Sequence, residues 1–155
     1  ARLDYAHAVV DNARALAEGL KSRGVRLVTD GTDNHIVLMD VRDFNVTGRQ
    51  AEAALLDAGI VTNRNSVPND PNGAWYTTGV RLGTPALTSR GFSTSDMEAV
   101  ADMIAGVLKA TKPTTTSKGE PSKAKYELTD DARQHSLNEA ERLLDLHPLY
   151  PGFEI

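Results

Sequence analysis

Gly79-Val80-Arg81-Leu82-Gly83-Thr84-Pro85-Ala86, reached from Asn63-Arg64-Asn65-Ser66-Val67-Pro68-Asn69-Asp70-Pro71 through a stretch rich in turn formers, decides how this chain is read. Residues 79–83 set one arginine among small apolar residues and glycines, the pattern of a short strand that neighbouring backbone can approach closely. An arginine so placed has two readings. It can pair with a structural Asp or Glu, or its planar guanidinium can hold a small carboxylate through two parallel hydrogen bonds while staying charged at any physiological pH. Asn65 is equally double: beside serine and proline an asparagine shapes turns, and its amide can also recognise a ligand.

Upstream of these motifs, Leu3, Ala6, Val9, Val10, Ala13, Leu16, Ala17 and Leu20 recur at three- and four-residue steps. Asp11, Arg14, Glu18 and Lys21 fall between them, which predicts a helix over residues 4–23 stopped by Gly24. Residues 25–29 and 35–41, joined through Asp30-Gly31-Thr32-Asp33-Asn34, read as an antiparallel hairpin. Its second strand is apolar on both faces through Ile36, Val37, Leu38 and Met39, hence central. Thr47 and Gln50 form a capping box for a short helix reaching residue 58, with Gly59 as its stop. Residues 60–62 read as a short strand and residues 63–78 as a long loop of the kind that carries function.

Downstream, residues 88–92 read as a turn, and Ser95 with Glu98 as the cap of a helix facing inward through Met97, Val100, Ala101, Ile104, Val107 and Leu108. Residues 111–125 hold Thr114-Thr115-Thr116-Ser117 and four lysines, with only Ala124 to offset the entropy of ordering, and read as a flexible linker. A last helix over residues 130–146 runs through Ala132, Leu137, Ala140, Leu143 and Leu144 and ends before Pro148. The sum is an α+β fold, a small mostly antiparallel sheet covered by helices. It divides into a core over residues 1–110, the linker over 111–125, and a C-terminal helix and tail over 126–155 that pack on the same domain.

The 155 residues, 40% hydrophobic and 25% charged, suit one globular domain. A net charge of -4 with scattered basic residues offers neither nucleic acid nor an anionic membrane the concentrated basic patch it would need. The absence of cysteine excludes disulfides and thiolate metal sites and permits a reducing cytoplasm. No apolar run approaches the roughly 20 residues of a membrane span, and no signal-peptide core opens the chain. His7, His35, His135 and His147 are too dispersed for a metal site. Asp40, Arg42 and Asp43 read as solvated pairs, and no glycine-rich nucleotide loop is present. Helical periodicity begins at Ala1, as expected of a piece of something longer.

The two motifs, with their separation and flanking helices, resemble the C-terminal part of serine hydroxymethyltransferases over residues 3–108, and Pro148-Leu149-Tyr150-Pro151 is like the tail of bacterial members. The resemblance implies the C-terminal small domain of a fold type I pyridoxal phosphate enzyme. Such an enzyme interconverts serine plus tetrahydrofolate with glycine plus 5,10-methylenetetrahydrofolate, as a cytoplasmic homodimer serving one-carbon metabolism and glycine biosynthesis. It implies that Arg81 grips the amino acid's carboxylate and that Asn65 lies at the folate. The turn Gly73-Ala74-Trp75 corresponds to a segment near folate as well, in residue types that vary more. The cofactor lysine and acid-base groups would lie in a preceding large domain. None of Lys21, Lys109, Lys112, Lys118, Lys123 and Lys125 has the apolar setting that imine chemistry needs, so no catalytic residue is expected here and the chain alone is expected to be inactive. Two other readings stand beside this one. One is the small domain of another fold type I enzyme, such as an aminotransferase or acyltransferase, against which the Asn-rich loop argues. The other is a freestanding module that binds small anions or a partner through the open face of its sheet.

Overall fold

Helix α1 (Arg2–Ser22) buries the stripe Val9, Ala13, Leu16, Ala17 and Leu20, as its periodicity requires. The computed structural model describes residues 1–149, so the Tyr150-Pro151 end of the tail motif lies outside the described residues. The stripe packs on α5 (Thr94–Ala110), which turns Met97, Val100, Ala101, Ile104, Val107 and Leu108 inward. Arg23, just past α1, clamps the pair by reaching Glu98 at 3.0 Å and Asp102 at 3.3 Å on α5. Complete burial of a side chain such as Leu20, Leu55 or Ile104 contributes about 1.5–3 kcal/mol each.

Between these helices the chain lays down β1 (Arg26–Leu27), β2 (Ile36–Asp40), a 3-10 turn, α2 (Gly48–Asp57), β3 (Asn63–Asn65), α3 (Gly73–Tyr76), β4 (Gly79–Gly83) and α4 (Pro85–Ser89). The four strands form one sheet in the order β1-β2-β4-β3, every neighbouring pair antiparallel. Strand β2 is interior, as its two apolar faces suggest, and its five residues all pair with β4, Leu38 opposite Arg81. Alternation then separates the faces. Leu27, Val37, Met39, Val80 and Leu82 point into the helices and are buried. Arg26, Ile36, Leu38, Arg81, Asn63 and Asn65 occupy the opposite face, which no helix covers to the same extent.

Three local expectations are corrected. The strand expected at residues 60–62 begins instead at Asn63, because the Gly59 and Ile60 amides are spent on closing α2 through Leu56 and Leu55 carbonyls, leaving Val61 83% exposed. The loop over 63–78 accordingly contains both β3 and the single turn α3. The cap of α5 is Ser93 with Asp96, a complete capping box, and Glu98 is left free to meet Arg23. Both serines satisfy the local pattern, and burial of Phe92 in the core selects the earlier one. Residues 88–92 are not all turn either, since α4 runs through Ser89 before Gly91 turns the chain.

The segment expected to be a flexible linker is a hairpin, β5 (Thr111–Thr115) paired with β6 (Pro121–Leu128), followed by α6 (Asp130–Leu146). Its order comes from α2. The side chain of Gln50, 1% exposed, accepts from the Thr47 amide to complete the cap while its Nε2 donates to the carbonyls of Ser122 at 2.7 Å and Lys125 at 2.8 Å. Thr47 Oγ1 donates to the Lys123 carbonyl at 2.7 Å, and Tyr126 donates its phenol to Asp57 at 2.9 Å. Burial, with Asp57 beside it, pushes the Tyr126 phenol up to about 12. Polar side chains thus do for β6 what a third strand would do. Gln50→Ala should cost about 1–3 kcal/mol in urea unfolding, the penalty of orphaning buried partners, and should speed tryptic cleavage after Lys123 and Lys125. An unchanged cleavage rate would show that the hairpin is held by other means.

Candidate functional site

Arg81 stands on β4 with Leu38 opposite on one side and Asn63 opposite on the other, its side chain exposed on the open face of the sheet. Among the described residues its guanidinium meets no carboxylate and makes no hydrogen bond. Arg23, Arg26, Arg42 and Arg64, by contrast, each reach an Asp or Glu. The structural ion pair that formed one reading of Arg81 therefore has no partner among the described residues.

Asn65 pairs with Gly79, two residues before Arg81 on the same strand, so Asn65 and Arg81 are diagonal neighbours on one face. Such neighbours lie about 7–8 Å apart, a span that one ligand or two adjoining ligands can bridge. The Asn65 Nδ2 donates to the Ser66 carbonyl at 3.0 Å, while its Oδ1 accepts no hydrogen bond among the described residues. Gly79 is what lets the strands come this close. A Cβ there would lie 2.5 Å from the Asn65 carbonyl oxygen and 2.9 Å from Val67.

The loop from β3 back to β4 is organised around Asp70. Its carboxylate accepts from the Val67 amide at 3.1 Å, the Asn72 amide at 2.8 Å, the Thr78 amide at 2.8 Å and the Thr78 hydroxyl at 2.6 Å. Partial burial acts to raise its pKa, but these donors outweigh it and hold the carboxyl below its ordinary value of 3.8. Just before β4, Thr77 has φ 55°, a left-handed conformation that costs a β-branched residue on the order of 1–3 kcal/mol. Its neighbours enforce it: the Gly48 amide donates to the Thr77 carbonyl at 3.0 Å and the Thr77 hydroxyl to the Gly79 carbonyl at 3.2 Å.

Gly73, Ala74 and Trp75 form α3 within this loop, Gly73 at φ 73°. Trp75 is 61% exposed, with the guanidinium carbons of Arg49 and Arg64 at 5.3 and 5.0 Å from its ring centroid. Arg64 alternates with Asn63 and Asn65 along β3, so the indole sits on the α2 side of the edge strand and not beside Arg81. The structure therefore brings Arg81 and Asn65 together and sets Trp75 around the edge from them. Asp70 and Thr77 also shape the site, and no motif in the sequence singles out either. An Asp between Pro68 and Pro71 signals a side chain that folds back on its own loop, though nothing local says it will gather four donors.

Elsewhere, a cavity of about 300 Å3 lined by Leu16, Leu82, Phe92, Ile104 and Leu143 lies on the core side of β4, opposite Arg81. His147 meets Asp96 at 2.9 Å and ties the end of α6 to the cap of α5. Burial acts to raise the Asp96 pKa, and its Ser93 and His147 contacts bring it below the ordinary value. Among the described residues no group of three or more His, Cys, Asp or Glu could hold a metal ion, and no helix is long and apolar enough to cross a membrane.

A family model described as serine hydroxymethyltransferase matches residues 3–104. The chain is 61% identical to the serine hydroxymethyltransferase of Cutibacterium acnes over 98% of its own length and 31% of the relative's. It is 60% identical to that of Mycolicibacterium smegmatis over 97% of the chain and 30% of the relative, and 52% identical to that of Treponema pallidum over 97% and 26%. The chain thus spans about a third of the length of these relatives.

Asp70 and Asp96 titrate lower folded than unfolded, so the stability they contribute is whole above about pH 4 and is lost as pH falls through their folded values. Urea midpoints measured from about pH 6 down to about pH 2.5 should fall steeply in the wild type and less steeply in Asp70→Asn. Equal acid slopes in the two proteins would show that Asp70 is not depressed by folding.

Proposed function

We propose, since the chain belongs to the serine hydroxymethyltransferase family, that it is the C-terminal small domain of an enzyme moving a one-carbon unit between serine and tetrahydrofolate. The products are glycine and 5,10-methylenetetrahydrofolate. In this reading Arg81 holds the carboxylate of the amino acid and Asn65 borders the folate, with Gly73, Ala74 and Trp75 nearby on the rim. The observation that carries it is the guanidinium of Arg81, unpaired among the described residues, on the open face of the sheet, one diagonal step from the Oδ1 of Asn65, which accepts no hydrogen bond among them.

The chemistry of the clamp is geometric. Two-point attachment of a carboxylate fixes rotation at Cα and so decides which bond to Cα faces the electron acceptor, an orientation a single contact leaves free. The residues of this chain do not fit as holders of pyridoxal phosphate, the group that supplies electron withdrawal in this chemistry. Lys109, Lys112, Lys118, Lys123 and Lys125 are exposed, and Lys21 reaches Glu18 and Asp30. The cofactor, its lysine and the acid-base groups are assigned to the remainder of the protein, which would cover the open face and make the site an interdomain cleft. A homodimer acting in the cytoplasm, with no nucleic-acid or membrane partner, completes this reading.

In the full-length enzyme, Arg81→Ala should cost serine turnover about 3–5 kcal/mol, the penalty of stranding one member of a buried ion pair. The cofactor's own absorbance should be retained. Arg81→Lys should rescue poorly, since one ammonium lacks the two-point fork. Serine turnover within tenfold of wild type in the alanine variant, with the fold intact, would refute the clamp.

A further inference from the structure

Strands β4 and β3 are not equally secure. Strand β4 is paired along all five residues with β2 on one edge, whereas β3 is an edge strand of three residues whose only pairing among the described residues is with β4. Beyond that pairing, β3 is gripped at two points. At its middle residue Glu52 on α2 accepts from the Arg64 amide at 2.7 Å. At its exit, immediately past Asn65 and Ser66, the Val67 amide is held by Asp70, whose other oxygen and remaining lone pairs bind Asn72 and Thr78. Thr78 leads straight into β4. One carboxylate therefore ties the exit of β3 to the entrance of β4, across the left-handed turn at Thr77.

We infer that Asp70 is a positioning residue for the folate side of the site: by binding Val67, Asn72 and Thr78 together it holds Asn65 in register with Gly79 and so in reach of the ligand held beside Arg81. This rests on the folate reading of Asn65. It also separates the two halves of the site. Arg81 takes its place from β2 and β4 and does not depend on Asp70, while Asn65 does. Loss of Asp70 should therefore damage one substrate's binding and spare the other's.

The test is a double-mutant cycle in the full-length enzyme, reading KM for tetrahydrofolate, KM for serine, and folate-independent cleavage of a 3-hydroxy amino acid. Asp70→Ala should raise the folate KM about tenfold, the scale of a lost hydrogen-bonded contact, with serine KM and folate-independent cleavage within about twofold of wild type. Asp70→Asn keeps one accepting oxygen and should recover most of the loss. In an Asn65→Ala background, Asp70→Ala and Asp70→Asn should raise the folate KM no further, because both act through the same side chain. Additive effects, or equal losses in both reactions, would make Asp70 a purely structural residue and overturn the inference. So would an unchanged folate KM in Asp70→Ala where Asn65→Ala raises it. If Asn65→Ala itself leaves the folate KM unchanged, the folate reading of Asn65 fails and this inference falls with it. Should Asp70→Ala not fold, the cycle with Asp70→Asn gives the same decision from its smaller rise.

Discussion

Helix α2, the loop turn at Thr77 and strand β4 meet where there is no room for a side chain. A Cβ on Gly48 would lie 2.0 Å from the Thr77 hydroxyl and 2.6 Å from the Gly79 carbonyl, and a Cβ on Gly79 would lie 2.5 Å from the Asn65 carbonyl. Two glycines thus allow three segments to approach closely enough to hydrogen-bond, the Gly48 amide donating to the Thr77 carbonyl and the Thr77 hydroxyl to the Gly79 carbonyl. The close approach sets the height of α2 on the sheet, the left-handed turn into β4 and the lateral position of β3. Everything proposed for Arg81 and Asn65 assumes that these backbones are fixed first.

From that junction the sheet acquires two unlike faces. The inner one is sealed by α1, α2 and α5 around Val37, Met39 and Val80, none of which retains exposed surface. The outer one presents a cation and an asparagine acceptor that find no partner among the described residues, with half-buried Leu38 and Ile36. A guanidinium without a carboxylate is ordinary in water and costly when buried, so any body that closed over this face would have to bring an anion with it. The chain belongs to the serine hydroxymethyltransferase family and spans about a third of its relatives' length.

Polar groups perform two of the less obvious structural tasks. Gln50 caps α2 and simultaneously holds the carbonyls of β6, so a hairpin with little apolar surface is ordered by a buried amide. Asp70 closes the loop between β3 and β4 with four hydrogen bonds. Gln50 joins segments more than seventy residues apart and Asp70 joins the two ends of one loop, and removing either would leave several groups unsatisfied at once.

Helix α1, the Thr47–Gln50 capping box, interior strand β2, strand β4 and helix α6 were legible in the sequence because each depends on neighbours a few residues away: a period of 3.6, a reciprocal cap, an apolar run, glycines flanking a strand. The motif pair around Asn65 and Arg81 was legible by resemblance. The sequence alone left open whether Arg81 had a structural partner, and the described residues offer it none. Tertiary structure decided the rest. Strand β3 starts at Asn63 because closing α2 consumes the residues before it, Ser93 caps α5 in preference to Ser95 because Phe92 must enter the core, and residues 111–128 are a hairpin because Gln50, far away in sequence, supplies donors to it. Local chemistry lists what each segment can form, and contacts between distant segments choose among those options, since only a partner brought in by the fold can satisfy a backbone group its own neighbours leave unpaired.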